Sequence, residues 1–269
     1  MDREVALQAL GKFCNASVTS FQKQGSRGAS QQPLLIKGFI ATVLDADETS
    51  QVSRSNFAHM QCTLQAGYKP GGSSYVQQSD VVDKPTGLNH IIDEAEFFDP
   101  QFDCDYTSLR DTETYHRGGE VYERPCGWYR FALKVLDKYD GNAWLGTRFR
   151  STQSVPGEWP VSYHGTSKKG AGGIVEEYYK PGPRQRYGRG IYSTPYISEA
   201  TRYAKTFTFN KTGKRYKAIL QNRINPEYRQ KHNNDNYWLV PIPEGISAVE
   251  EHKMVERAIR PYGLLIKEI

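Results

Sequence analysis

From Val161 onward, short apolar segments alternate with glycine-rich turns and single helical stretches, and this order constrains the fold more than any other feature of the chain. Val161-Ser162-Tyr163-His164-Gly165-Thr166 reads as a short strand ending in a histidine, followed by a glycine where backbone can approach a ligand. Lys168 to Tyr179 reads as a helix after its glycines. In Tyr187-Gly188-Arg189-Gly190-Ile191-Tyr192-Ser193-Thr194-Pro195 the glycines make a bend and a strand then delivers Tyr192. Ser198 to Phe207 has the form of a helix, with Ser198 as N-cap, Glu199 in the first turn, and Ala200, Tyr203, Ala204 and Phe207 on the buried face. Tyr216 to Arg223, Tyr237 to Val240 and Tyr262 to Ile266 read as three further strands, with a helix over Ala248 to Ala258 inserted before the last.

Upstream, Asp2 caps a helix that places Val5, Ala9 and Phe13 at four-residue spacing. Gln24 to Pro33 is a turn-forming loop, and Leu34 to Leu44, rich in apolar and β-branched residues, is a strand candidate. A second loop follows at Tyr68 to Ser74. Asp93 to Asp105 combines Phe97, Phe98 and Phe102 with six acidic residues. Trp128 to Leu136 alternates as a strand, and Asp140-Gly141 is a turn that would return the chain through Ala143 to Phe149 as a hairpin. No recognisable chemical motif lies in residues 1–117.

Charge is unevenly distributed. Residues 1–160 carry 16 Lys+Arg against 20 Asp+Glu, whereas residues 161–269 carry 19 against 10. A basic segment bearing the candidate chemistry suits a polyanionic ligand such as a dinucleotide, or a nucleic acid. The acidic Asp93 to Asp105 segment, of opposite sign, is expected to dock near that basic cleft and limit access to it. The four cysteines (Cys14, Cys62, Cys104, Cys126) form no CxxC pair and have no histidine cluster near them, which points to reduced thiols in an intracellular protein, cytoplasmic or nuclear. No segment is long and apolar enough to span a bilayer, and Met1-Asp2-Arg3-Glu4 is not the start of a signal peptide, so no membrane partner is expected.

No single segment of the C-terminal series is specific; their order and spacing are. A strand closing in His-Gly-Thr, a helix, a glycine bend, a Gly-Ile-Tyr strand, and a helix whose tyrosine lies eleven residues beyond Tyr192 together resemble the catalytic core of the poly(ADP-ribose) polymerase and diphtheria-toxin class of ADP-ribosyltransferases. The Gly188-Arg189-Gly190 bend lacks the third glycine and following helix of a Rossmann fingerprint. The resemblance covers residues 162–269. It implies an α+β fold with a split antiparallel β core of the ADP-ribosyltransferase type, formed by residues 118–269 and preceded by a mixed N-terminal extension over residues 1–117.

The resemblance also assigns roles. His164 would donate a hydrogen bond to the adenosine-side ribose of NAD, and the Gly165 backbone would bind the nicotinamide amide, which needs one donor and one acceptor. Tyr192 and Tyr203 would sandwich the nicotinamide ring. Thr166, Gly190 and Ser193 complete the donor pocket. Arg184, Arg186 and Arg189 lie where the family's donor-site loop sits, to meet the pyrophosphate or to stand as solvated loop charges. Two positions depart from the family pattern. A serine that binds the amide is replaced by Ala200, at a cost of about 1 kcal/mol if nothing substitutes. The glutamate of the third catalytic position is replaced by Asn236 if the tyrosines are aligned; if Arg260-Pro261-Tyr262 opens the catalytic strand, Glu256 is the candidate instead.

The implied reaction is transfer of ADP-ribose from NAD, as co-substrate, to an acceptor protein or nucleic acid with release of nicotinamide, as mono- rather than poly-ADP-ribosylation. No metal is implied, since the histidines lack ligand spacing. Two rivals stay open: a catalytically silent relative that binds nucleotide or nucleic acid, and an NAD-dependent RNA 2′-phosphotransferase, which would need further histidine and arginine motifs upstream of His164.

Overall fold

The computed structural model describes residues 1–24, 31–40, 43, 89–147, 151–165, 187–188 and 190–269. The chain is of the α+β class, with mostly antiparallel sheets and few helices. Helix α1 (Arg3–Cys14) starts where the Asp2 side chain accepts from the Glu4 backbone N–H and ends at Asn15, whose φ of 48° stops the helix in the left-handed region. It buries Val5, Ala9, Leu10 and Phe13, each worth roughly 1–3 kcal/mol of apolar burial. Strands β1 (Ser17–Ser20) and β2 (Gln31–Pro33) flank β3 (Asn89–Ile92) in parallel, with the short helix α2 (Phe21–Gln24) following β1. Gln31 to Pro33, read from sequence as loop, is thus an edge strand, where proline's missing N–H costs no ladder bond.

Residues 36–40 are helical, not extended. The apolar run hides a helical period: Ile36, Phe39, Ile40 and Val43 are buried, while Leu35 is 67 % exposed. Neither the loop at 68–74 nor the helix expected over 168–179 falls within the described residues.

The acidic segment forms helix α3 (Glu94–Phe97), a 3-10 turn (Pro100–Phe102) and strand β4 (Cys104–Asp105). Phe97 and Phe98 are buried in the core, and the Asp103 carboxylate accepts from the Ala132 backbone N–H at 2.7 Å. The segment is therefore an integral part of the sheet, and its charge is answered locally by Lys134 and Lys138 on Glu96 rather than by a basic cleft.

The hairpin β5 (Tyr115–Arg117) and β6 (Glu120–Tyr122) precedes β7 (Tyr129–Ala132). After β7 the chain makes a 3-10 turn at Ala143–Leu145 instead of a returning strand. Both edges of β7 are already taken, by β4 and by the final strand β14 (Ile259–Glu268). Strands β8 (Val161–His164), β9 (Gly190–Ser193), β10 (Lys205–Thr208), β11 (Arg215–Ile224), β12 (Gln230–His232) and β13 (Tyr237–Pro241), with helices α4 (Ile197–Arg202) and α5 (Ala248–Ala258), complete the chain.

Long β11 organises this half. It pairs along its length with β14 on one side, and with β10 and then β8 on the other, all antiparallel. At Gln221/Asn222 the β14 register shifts, so that Gln221 faces Gly263 and Asn222 faces Pro261, and Tyr262 is the extra residue of a bulge that accommodates Pro261. A separate antiparallel sheet runs β12-β13-β9. Tyr163 of β8 and Thr194, just after β9, exchange backbone hydrogen bonds of 2.8 and 3.0 Å where the two sheets adjoin. Strands β8 and β9 thus belong to different sheets, with a split between them.

The hydrophobic core runs from Val5 to Ile266 and so joins α1 to the C-terminal strands. Arg3 sits over the Phe98 and Phe131 rings, and Gln8 bonds Thr208 and Asn210 near β10. Beneath β8, the Glu158 side chain is only 3 % exposed and answers Arg223 at 3.1 Å and Arg117 at 3.4 Å. Arg260 is enclosed by the rings of Tyr139, Trp144 and Trp159 and reaches Asp140 at 2.7 Å.

Candidate functional site

At the split between β8 and β9 the structure brings His164 to Tyr192 and Gly165 to Tyr203. His164 ends β8, opposite Leu220 of β11, and is buried. Its Nδ1 lies 2.6 Å from the Tyr192 carbonyl oxygen of β9. A carbonyl only accepts, so Nδ1 carries a proton and donates to it.

Gly165 follows where no side chain fits. A Cβ there would stand 2.6 Å from the Tyr203 carbonyl oxygen and 2.9 Å from that of Ala200, so the end of α4 packs directly on the β8 backbone. Gly190 is required for the same reason: with φ at 157°, its Cβ would fall 2.0 Å from the Val240 carbonyl oxygen across the β9–β13 pair.

Helix α4 runs Ile197–Arg202, with Tyr196 as N-cap and Tyr203 as C-cap. It begins one residue before Ser198, the Ile197 backbone N–H is answered by Glu123 Oε2 at 3.0 Å, and Lys205–Thr208 is strand. Glu123 also accepts through its carbonyl from the Tyr163 hydroxyl at 2.6 Å, tying the helix to β8. Burial raises the pKa of the Glu123 carboxyl. Ala200 is buried, and the neighbouring Thr201 hydroxyl is spent on the Ile197 carbonyl at 2.7 Å.

Strand alternation sorts the remaining residues. Tyr192 pairs with Leu239, so Tyr237, two residues before Leu239, shares the Tyr192 face. The Tyr237 hydroxyl donates to Glu199 Oε1 at 2.7 Å and neighbours the Tyr203 phenol. Burial, followed by the Tyr203 and Glu199 contacts, holds the Tyr237 hydroxyl pKa well above the ordinary phenol value. Tyr192, Tyr203 and Tyr237 thus gather over one face of the β9–β13 pair. The Tyr192 hydroxyl donates to the Gly188 carbonyl at 2.8 Å, and the ring of Tyr187 stacks on His232 at 4.4 Å. Ser193 points the other way: it is buried against Trp238, with Oγ 3.5 Å from the Trp238 carbonyl, and does not line the Tyr192 face.

Asn236 is half-buried at the end of the β12–β13 turn, immediately before Tyr237. Asn233, Asn234 and Asp235 supply three consecutive left-handed residues in that turn, a conformation in which Asn and Asp are the best-tolerated side chains after glycine. Glu256 is elsewhere. Helix α5 runs directly into β14, whose first residue pairs with Ile224, beyond the Val161 end of β8, whereas His164 pairs with Leu220 at the other end. Four strand residues, roughly 13 Å, separate the two levels. The structure therefore places Asn236 beside the candidate site and Glu256 away from it. Thr166, Arg184, Arg186 and Arg189 lie outside the described residues.

Glu199 and Tyr237 are the site residues that sequence reading missed as a pair. The signal was available for half of it: Glu199 and Tyr203 are four apart on a helix and so share a face. A cleft of about 470 Å³ lined by Arg3, Glu94, Phe98, Asp99 and Lys134 lies where α1 meets α3 and contains none of these residues. Among the described residues no group of His, Cys, Asp and Glu could hold a metal ion, and no helix is long and apolar enough to cross a membrane. Comparison with protein-family models and with curated proteins gives no match.

Proposed function

We propose that the chain transfers ADP-ribose from NAD to an acceptor and releases nicotinamide, with NAD lying across the β8–β9 split. The observation that carries this reading is the joining of His164 to Tyr192 where the two sheets adjoin, with the end of α4 packed on Gly165. A dinucleotide with a flat cationic ring needs aromatic faces and hydroxyl partners. Tyr192, Tyr203 and Tyr237 offer the faces, and the His164 ring, held by its Nδ1 contact to the Tyr192 carbonyl, offers a hydrogen-bonding group of fixed orientation. The antiparallel core divided between β8 and β9 supports the ADP-ribosyltransferase type of fold that the motif order resembles.

In the proposed reaction the glycosidic C–N bond breaks and its electron pair goes to the ring nitrogen, which converts the pyridinium to neutral nicotinamide. A lone pair of the acceptor, protein or nucleic acid, forms the new bond to the ribose carbon, and the acceptor's proton leaves to water. Mono-transfer is the form proposed, because Asn236 brings no charge to the position where the family's polymer-forming members place glutamate.

Incubation with NAD labelled on the adenosine side, with separate protein, DNA and RNA pools, tests the proposal. Label transferred to one pool with stoichiometric nicotinamide supports it. A second reading, nucleotide binding without turnover, is favoured by the amide at Asn236. It would be supported by NAD stabilising the protein while no nicotinamide is released.

A further inference from the structure

We infer that Tyr237 and Glu199 together supply the negative partner that the reaction needs at the nicotinamide-side ribose, an inference that rests on the NAD reading above. Bond breaking leaves positive charge on the ribose ring, and preorganised charge or an oriented acceptor nearby is often the largest source of rate. Asn236 is neutral, and Glu256 stands on a helix at the other end of β8. Two other nearby carboxylates are already engaged: Glu120 with Arg229 and Lys231, and Asp235 with Lys231. Glu199 differs. Its side chain is 18 % exposed, and its cationic neighbour Arg202 is 73 % exposed at 3.3 Å, where water screens the pair.

The geometry fixes the direction of the hydrogen bonds. An ionised carboxylate only accepts, so the single proton of the Tyr237 hydroxyl is committed to Glu199 Oε1 at 2.7 Å. The Tyr203 hydroxyl is hydrogen-bonded to Tyr237 and, with the Tyr237 proton on Glu199, donates to one of its lone pairs; the other lone pair is left as an acceptor with increased negative character, as expected of a charge-assisted chain. Tyr237 lies on the face that also carries Tyr192, and beside the Tyr203 phenol. A ribose hydroxyl donating to the Tyr237 oxygen would connect the reacting ring to the Glu199 carboxylate through one phenol. Tyr237 is in this scheme the catalytic residue, and Glu199 the positioning residue that acts through it. No proton changes owner along the chain during C–N cleavage; the pair only strengthens its hydrogen bonds as charge develops.

The test measures NAD hydrolysis by nicotinamide release, alongside the rise in thermal stability with NAD, for wild type, Tyr237→Phe, Glu199→Gln, Glu199→Asp and the Phe/Gln double variant. Both single substitutions should keep the NAD-induced stabilisation and KM while lowering kcat at least tenfold, equivalent to about 1.4 kcal/mol of barrier. The double variant should lose no more than either single one, because the two groups act as a unit, and Glu199→Asp should recover part of the rate. Full kcat in either single variant overturns the inference. So does loss of NAD stabilisation in step with kcat, which would mark the pair as structural, and so does a wild type that binds NAD but releases no nicotinamide. A wild type that NAD does not stabilise at all contradicts the NAD reading itself.

Discussion

The His164 imidazole hydrogen-bonds across the β8–β9 split to the Tyr192 carbonyl, with Nδ1 2.6 Å from the oxygen. One side chain therefore joins the two sheets and, in the proposed reading, also meets NAD through the Nε2 side of its ring. The two roles separate by substitution. In His164→Asn the amide nitrogen can replace Nδ1 as donor to Tyr192, so thermal stability should stay near that of wild type while NAD stabilisation is lost. In His164→Phe neither atom remains, the Tyr192 carbonyl loses its donor, and stability should fall by about 1 kcal/mol as well. Denaturant titration with and without NAD checks both. Retained NAD stabilisation in His164→Asn would remove Nε2 from the site.

Gly165→Ala should be more damaging than a surface Gly→Ala change. The added methyl would meet two backbone carbonyl oxygens, those of Tyr203 and Ala200, neither of which can move without displacing the end of α4. Overpacking of this kind costs about 1–3 kcal/mol. Urea unfolding should show that loss together with weakened NAD binding, since Tyr203 shifts with the helix. An unchanged midpoint would show that α4 is not held against β8.

How much of this was legible depended on whether the local pattern and the tertiary partner agreed. Strand β11, strand β13 and helix α5 were readable because their apolar periods match their elements and, for α5, because Ser247 and Glu250 form a capping box. The 34–44 run was misread because nearly every position is apolar, so the spacing of Ile36, Phe39, Ile40 and Val43 is masked by neighbours such as Leu35 that face out. The Ala143 to Phe149 strand failed because sheet position, which a local pattern does not encode, had already given both edges of β7 to β4 and β14. Motif order singled out His164, Gly165, Tyr192 and Tyr203, which the fold places near one another. It did not reveal that Ser193 faces the core or that Tyr237 reaches Glu199, since both follow from the β9–β13 register.

The buried cluster under β8 predicts a large stability effect with no direct chemical role. Glu158 is the anion for Arg223, which also donates to the Trp159 and Leu145 carbonyls at 2.6 Å each. Glu158→Ala would leave that guanidinium buried without its counter-charge, at a cost of about 3–5 kcal/mol. The unfolding midpoint should drop accordingly, and a change under 1 kcal/mol would show that the charge of Arg223 is balanced by its carbonyl partners alone.

The acidic segment predicts an effect of pH and salt on stability rather than on turnover. Hydrogen bonds from Lys134 and Lys138, followed by their charge, lower the Glu96 pKa from 4.5 to about 2. A depressed folded-state value means that the carboxylate's stabilising contribution is fully present above the unfolded pKa and is lost as pH falls from about 4.5 toward about 2. Because the group is exposed, the contribution is small and salt should screen it. Glu96→Gln should therefore flatten the acid limb of the stability–pH curve at low salt and change little at high salt. A steepened acid limb in the variant would contradict the account.

The most direct measurement of the central claim is thermal unfolding of wild type and Tyr192→Ala across a series of NAD concentrations. A ligand that binds only the folded state stabilises it by RT ln(1 + [L]/Kd), about 2.7 kcal/mol at a hundredfold excess over Kd. The account predicts a Tm that climbs with NAD in wild type and stays level in Tyr192→Ala, whose unliganded Tm remains close to that of wild type. A wild-type Tm independent of NAD, or the same climb in both proteins, would contradict it.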